Sequence, residues 1–88
     1  MARFEMYDAD LAAAGTGAQA EVLCELGLMY ATGRDCDVDT VAAHKWFNIA
    51  AIKGSLRAAE LRSELSANMS KPEIATALRQ AREWMTMH

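Results

Sequence analysis

Apolar residues recur at intervals of three and four along most of the chain, which is the spacing of helices that bury one face. Glycines and potential capping residues interrupt this pattern at regular distances. The pattern predicts four helices, over residues 18–32, 39–53 and 55–68 and from Ser70 onward. Short connections make successive helices antiparallel neighbours. The expected fold is therefore all-α, with two antiparallel helical hairpins.

The first predicted helix, residues 18–32, contains a glycine within its apolar pattern. Its expected buried face consists of Val22, Leu23, Leu26, Met29 and Tyr30. Gly27 costs about 1 kcal/mol relative to Ala inside a helix, and a glycine tolerated there usually lets another backbone approach. Gly33 follows the helix, where glycine adopts the left-handed conformation without a steric penalty. A second helix is therefore expected to cross close to Gly27.

The second predicted helix begins after Asp39, whose carboxylate can accept hydrogen bonds from the exposed N–H groups of the first turn. Its apolar stripe alternates small and large residues, namely Ala43, Trp46, Phe47 and Ala50. At helical spacing beside alanines, these aromatic side chains and Trp84 are expected in the core rather than stacked on a ligand. Gly54 ends the helix.

The third and fourth predicted helices form the second hairpin. The expected buried residues of the third are Ala58, Leu61 and Leu65, and its expected solvated residues are Arg57, Glu60, Arg62 and Glu64. The fourth begins with a capping box, in which Ser70 is the N-cap and Glu73 lies three residues on. Pro72 occupies the first turn, where its missing N–H does little harm. The expected buried face of the fourth helix consists of Ile74, Ala77, Leu78, Ala81 and Trp84.

These elements divide a single domain into three parts. Residues 1–17 form an N-terminal segment, residues 18–54 the first hairpin, and residues 55–88 a second, capping hairpin. The N-terminal segment carries several large apolar residues, namely Phe4, Met6, Tyr7 and Leu11. It is expected to be either a short helix packed on the first hairpin, which we favour, or an arm that becomes ordered on a partner.

The first hairpin also carries an ordered set of small, aromatic and glycine residues. The set comprises Ala20, Val22, Leu26, Gly27, Met29, Tyr30, Gly33, Asp39, Ala43, Trp46, Phe47, Ala50, Ala51 and Gly54. This set resembles one Sel1-like repeat, a relative of the tetratricopeptide repeats. The remaining hairpin, with Pro72 and Trp84, is similar to the degenerate terminal hairpin of some bacterial Sel1-like proteins. The resemblance implies a short α-α superhelix.

The resemblance also carries expectations about function and about the loop between the first two helices. It implies an adaptor that binds proteins in a groove lined by the first helix of each hairpin, with no catalytic residues; this is an analogy of fold. The chain departs from the family at Asp35, where a second glycine is usual, and at Cys36, where an aliphatic residue is common. The loop is therefore expected to differ in backbone. Val22, in place of a small alanine, is expected to push the next helix outward.

Charge and hydropathy exclude several other classes of partner. The formal net charge is −3, from 9 basic and 12 acidic residues, with no basic stripe to bind a phosphate backbone. No apolar run approaches the roughly 20 residues of a membrane-spanning helix, and residues 1–10 do not resemble a signal peptide. The chain is therefore expected to be cytoplasmic, with Cys24 and Cys36 as thiols and with neither nucleic acid nor membrane as a partner.

Two cysteines and one histidine are the candidates for chemistry. A thiol- or metal-dependent enzyme or regulator that uses Cys24, Cys36 and His44 is the alternative interpretation. Zinc sites usually show a short CxxC or HxxxH pair, and neither occurs. Asp35 and Asp37 flank Cys36 and would disfavour its thiolate, and His44 is expected to be solvated. The sequence therefore predicts no catalytic residue, metal or cofactor.

The outer face of the first helix is the candidate partner-binding surface. Its residues, at positions i, i+4, i+7 and i+11, are Glu21, Glu25, Leu28 and Thr32. This acidic strip around a leucine is either an ordinary solvated face, since single exposed leucines are common, or a groove for a basic or amphipathic segment.

A repeat that stands almost alone leaves one face of its first hairpin uncovered. The N-terminal segment, a second copy of the chain or a different protein can cover it. The leading hypothesis is therefore a protein-interaction module or small accessory subunit without chemistry of its own.

Overall fold

A computed structural model describes residues 18–87 of the chain, and this part contains helices and no strands. Helix α1 covers residues 18–32, and α2, α3 and α4 span Thr40–Ile52, Leu56–Ser66 and Lys71–Met87. The predicted all-α fold of short helical hairpins is therefore confirmed. The third helix ends at Ser66, two residues before the predicted end. The predictions for residues 1–17, the packed helix and the arm alike, lie outside the described residues.

Local hydrogen bonds begin each of the last three helices, and at the second and fourth helices the capping residues are the ones predicted. The Asp39 carboxylate accepts from the Ala42 N–H at 3.0 Å, and the Ser55 hydroxyl accepts from the Ala58 N–H at 3.0 Å. At α4, the Ser70 N–H donates to the Glu73 carboxylate at 2.8 Å, and the Glu73 N–H donates to the Ser70 hydroxyl at 3.2 Å. Each such cap contributes about 1 kcal/mol.

The loop between α1 and α2 contains two residues in the left-handed region. Gly33, with φ of +77°, donates from its N–H to the Met29 carbonyl at 2.9 Å and so ends α1. Asp35 has φ of +62°, at the position where the Sel1-like pattern has its second glycine. Asp is among the few residues with a side chain that adopt this conformation readily. Asp35 therefore adopts the left-handed conformation without a glycine at that position.

Helices α1 and α2 approach closely at Gly27, as predicted. A Cβ atom at Gly27 would lie 2.5 Å from Cδ1 of Phe47 and 3.2 Å from the Ala43 carbonyl oxygen. Contacts under 3.0 Å between such atoms require something to move. The missing side chain therefore lets the Phe47 ring lie directly against the backbone of α1.

Helix α2 is the central element, because both α3 and α4 pack against it. The buried apolar residues are mostly alanines. The full set is Ala20, Leu23, Cys24, Ala43, Phe47, Ile49, Ala50, Ala58, Ala77 and Ala81. The rings of Trp46 and Trp84 join α2 to α4 in an edge-to-face contact, with centroids 5.4 Å apart and planes at 77°. Phe47 is buried and both Trp side chains are partly buried, so the aromatic residues pack between helices as expected.

The expected burial of Val22 is wrong, because its side chain is 67% exposed. The buried face of α1 is centred on Ala20, Cys24 and Gly27, and Val22 projects from the opposite side of the helix. The buried face consists largely of small residues, so a prediction based on the spacing of large apolar residues places it incorrectly on the helix. Val22 therefore does not push α2 outward.

Within residues 18–87, no helix is both long enough and apolar enough to cross a lipid bilayer.

Candidate functional site

The surface along which α1 and α3 meet, here called the seam, is the candidate site. Helix α3 begins beside the first turn of α1, since Ser55 contacts Glu21, and it ends beside the last turn, since Leu65 and Ala31 line one groove. The two helices therefore run in the same direction. Each provides a stripe at i, i+4, i+7 and i+11, with Glu21, Glu25, Leu28 and Thr32 on α1 and Arg57, Leu61, Glu64 and Asn68 on α3 and just after it.

Polar contacts close the seam at its first end. The Ser55 hydroxyl donates to the Glu21 carboxylate at 2.9 Å. Arg57 donates to Glu25 at 3.2 Å and lies 3.7 Å from Glu21. Arg34 lies 3.6 Å from the second oxygen of Glu25. Both carboxylates of the predicted acidic strip are therefore matched by cations of the same chain. The arginine side chains are half exposed, so these ion pairs hold the side chains of α1 and α3 in position but add little to the free energy of unfolding.

At its second end the seam opens into an apolar groove. The groove is lined by Leu28, Ala31, Phe47, Leu61, Glu64, Leu65 and Asn68. Five of the seven lining residues are apolar, and Glu64 is the only ionisable one. Its base includes Phe47, which is held against Gly27 by the close approach of α1 and α2. The groove therefore presents solvent-accessible apolar surface on a base that belongs to the core.

The structure separates the four residues of the predicted strip. Glu21 and Glu25 lie at the closed end, whereas Leu28 is partly buried and lines the groove. Thr32 is exposed, and its hydroxyl donates to the Leu28 carbonyl at 2.7 Å. Leu28 is therefore not a stray surface leucine. A role of these four residues in binding a partner remains a prediction.

Several groove residues were not predicted as functional. Leu61 and Leu65 were expected in the core and Glu64 on a solvated face, whereas Ala31 and Asn68 carried no assignment. The matching stripes of α1 and α3 were the available signal, because two helices that run side by side bring equally spaced positions together. These stripes can be interpreted only when α1 and α3 are known to be neighbours.

His44 is buried, so the expectation of a solvated histidine is wrong. Its side chain is 2% exposed, and its Nε2 shares a hydrogen bond of 2.9 Å with the Ser66 hydroxyl. Its Nδ1 is buried and has no hydrogen-bond partner that meets the usual geometric criteria within residues 18–87. Beside it, the buried Asn48 accepts a hydrogen bond of 2.6 Å from Arg62. Burial, and then the nearby Arg62 charge, lower the pKa of His44 below its usual 6.5. The polar side of α2 is therefore covered by α3.

The two cysteines and His44 lie in different surroundings. Cys24 is fully buried in α1, and this burial is the main reason that its pKa is raised. Cys36 is partly buried in the loop, and its thiol donates to the Met29 carbonyl at 3.5 Å. Both thiols are free. Within residues 18–87, no three His, Cys, Asp or Glu side chains are grouped so that they could hold a metal ion. In the described part of the chain, Cys24, Cys36 and His44 are therefore not grouped as ligands of one metal ion.

A comparison with known proteins finds no matching family model and no similar curated protein or solved structure. The function is therefore argued from the groove and its surroundings.

Proposed function

We propose that the chain is a protein-interaction module, or a small accessory subunit, and that it binds its partner in the groove at the open end of the seam. The observation that carries the proposal is the apolar lining of this groove, formed by Leu28, Leu61 and Leu65 around Phe47. Apolar surface that leaves water on association supplies most of the driving force for protein binding. The groove also lies between the first helices of the two hairpins, which is where the Sel1-like resemblance implies a binding surface.

The construction of the groove favours binding without large rearrangement. Phe47 is confined between α1 and the core, so the base of the groove is already ordered. A preformed surface loses less conformational entropy when a partner binds. In contrast, no contact among residues 18–87 groups Cys24, Cys36 and His44 for the alternative of a thiol- or metal-dependent activity.

The proposed location is the cytoplasm. Two free cysteines fit a compartment that keeps thiols reduced. The partner is another protein or a second copy of this chain.

The test is affinity capture from the cells that make the protein, with the tagged chain as bait. Leu28→Glu places a charge in the groove, and Leu56→Glu is the matched control, because Leu56 is 83% exposed and does not line the groove. We expect the wild type and Leu56→Glu to recover the same partner, and Leu28→Glu to lose it. Circular dichroism checks that both variants are folded.

Recovery of the same partner by Leu28→Glu would show that the groove is not the binding surface. Sedimentation of the purified chain over a range of concentrations covers the case of self-association. A dimer that dissociates in Leu28→Glu and persists in Leu56→Glu identifies the partner as a second copy.

A further inference from the structure

We propose that the groove takes a peptide segment with an apolar anchor residue flanked by Lys or Arg. This inference rests on the proposed function and adds the chemistry of the partner. The anchor would lie on the apolar surface formed by Leu28, Leu61 and Leu65. The charge of the groove decides which residues can lie beside the anchor.

Two carboxylates on α3 carry the argument from charge. Glu64 lines the groove, and Glu60 lies one turn earlier on the same face of the helix. Both are exposed, and neither has an ion pair or hydrogen bond within residues 18–87. Glu21 and Glu25, by contrast, are engaged by Ser55, Arg57 and Arg34. The negative charge at the closed end of the seam is therefore matched, and the charge beside the groove is not.

The directions of α1 and α3 add to this negative field. Both helices end beside the groove, since Ala31 and Leu65 lie in their last turns and line it. The last carbonyl groups of a helix carry a partial negative charge of about half an elementary unit. Helix α3 has no basic residue in its last turn. Arg34, which follows α1, extends back to Glu25. Two helix ends and two carboxylates therefore favour a cation at the rim of the groove.

The same arrangement disfavours the opposite kind of partner. An acidic segment would place its charges next to Glu64 and next to the carbonyl ends of two helices, where like charges repel. A purely apolar segment would bury the base of the groove without using the charges beside it. A segment with an apolar anchor and a basic residue within one turn of it complements both the apolar lining of the groove and the negative charge at its rim.

The test is selection of random linear peptides displayed on phage against the immobilised full-length chain. Three baits are compared: the wild type, Glu64→Lys, and Glu83→Lys as the control. Glu83 is an exposed residue of α4 that does not line the groove, and its replacement changes the net charge by the same amount. Because Glu64 and Glu83 are exposed, both variants are expected to fold, which circular dichroism verifies.

We expect the wild type and Glu83→Lys to select peptides enriched in Lys and Arg beside an apolar anchor. Glu64→Lys is expected to lose this enrichment in Lys and Arg. A basic peptide selected on the wild type is expected to bind Glu64→Lys roughly 10-fold more weakly, and the difference is expected to shrink as salt is raised.

The outcomes separate this inference from the proposed function. Peptides that lose binding to Leu28→Glu, keep binding to Leu56→Glu and show no preference for basic residues would overturn the inference and leave the groove as the binding site. Peptides that bind Leu28→Glu and Leu56→Glu equally well, or no enriched peptide at all, would count against both.

Discussion

The two ends of the seam between α1 and α3 are built from equally spaced stripes but have different contacts. At the first end, Arg57 and Ser55 meet Glu21 and Glu25, so polar groups are matched within the chain. At the second end, Leu28, Leu61 and Leu65 line a groove together with Phe47, and the surface remains open to solvent. Exposed charge is therefore a poor guide to a binding surface unless the residues opposite it are known.

The largest expected effect comes from Phe47, which belongs both to the core and to the base of the groove. Phe47→Ala removes a buried ring beside Gly27 and leaves a cavity. We expect the free energy of unfolding, measured in urea, to fall by roughly 3–4 kcal/mol. The control Leu56→Ala, at an exposed position, is expected to change it by less than about 0.5 kcal/mol. A loss for Phe47→Ala that is as small as the control would contradict the described core.

The pH dependence of stability tests the open end of the seam, because His44 shares a hydrogen bond with Ser66, the last residue of α3. The folded pKa of His44 lies below its ordinary 6.5, owing to burial and Arg62. As pH falls through that ordinary value, the unfolded chain binds a proton before the folded chain does. The free energy of unfolding is therefore expected to decrease between about pH 7.5 and about pH 5.5.

His44→Gln, which has no titrating ring, provides the control for this pH dependence. Its free energy of unfolding is expected to vary less over the same interval, and the difference between the two proteins isolates the contribution of His44. An identical pH dependence for both proteins would mean that His44 titrates as it does in the unfolded chain.

A smaller effect is expected at the closed end from Ser55, which is buried, caps α3 and bonds to Glu21. Ser55→Ala removes both hydrogen bonds and is expected to lower the free energy of unfolding by about 1 kcal/mol. Ser55→Thr retains the hydroxyl and is the control. Equal stability of Ser55→Ala and the wild type would show that the closed end does not depend on these bonds.

Features that depend on a few neighbouring residues were predicted from the sequence. The cap at Asp39, the capping box of Ser70 and Glu73, and the end of α1 at Gly33 all rest on hydrogen bonds within one turn. Gly27 was also interpreted correctly, because a glycine inside a helix usually indicates a close neighbour.

Several features that depend on which helices are neighbours were not predicted. His44 and Asn48 look like a polar face until α3 is known to cover α2. Val22 was assigned to the buried face because large apolar residues outweigh Ala20 and Cys24 in a periodic pattern, although the small residues mark the contact. Predicting the groove would have required knowing that α1 and α3 are neighbours and that ion pairs close the other end of the seam.

The most direct test compares one residue from each end of the seam in their effect on affinity for the partner recovered by capture. Leu28→Ala removes apolar surface from the groove, and Glu25→Gln removes charge from the closed end at nearly constant size. We expect the dissociation constant to rise roughly 10-fold or more for Leu28→Ala and to change by less than about twofold for Glu25→Gln. A large effect of Glu25→Gln together with none of Leu28→Ala would contradict the distinction between the two ends.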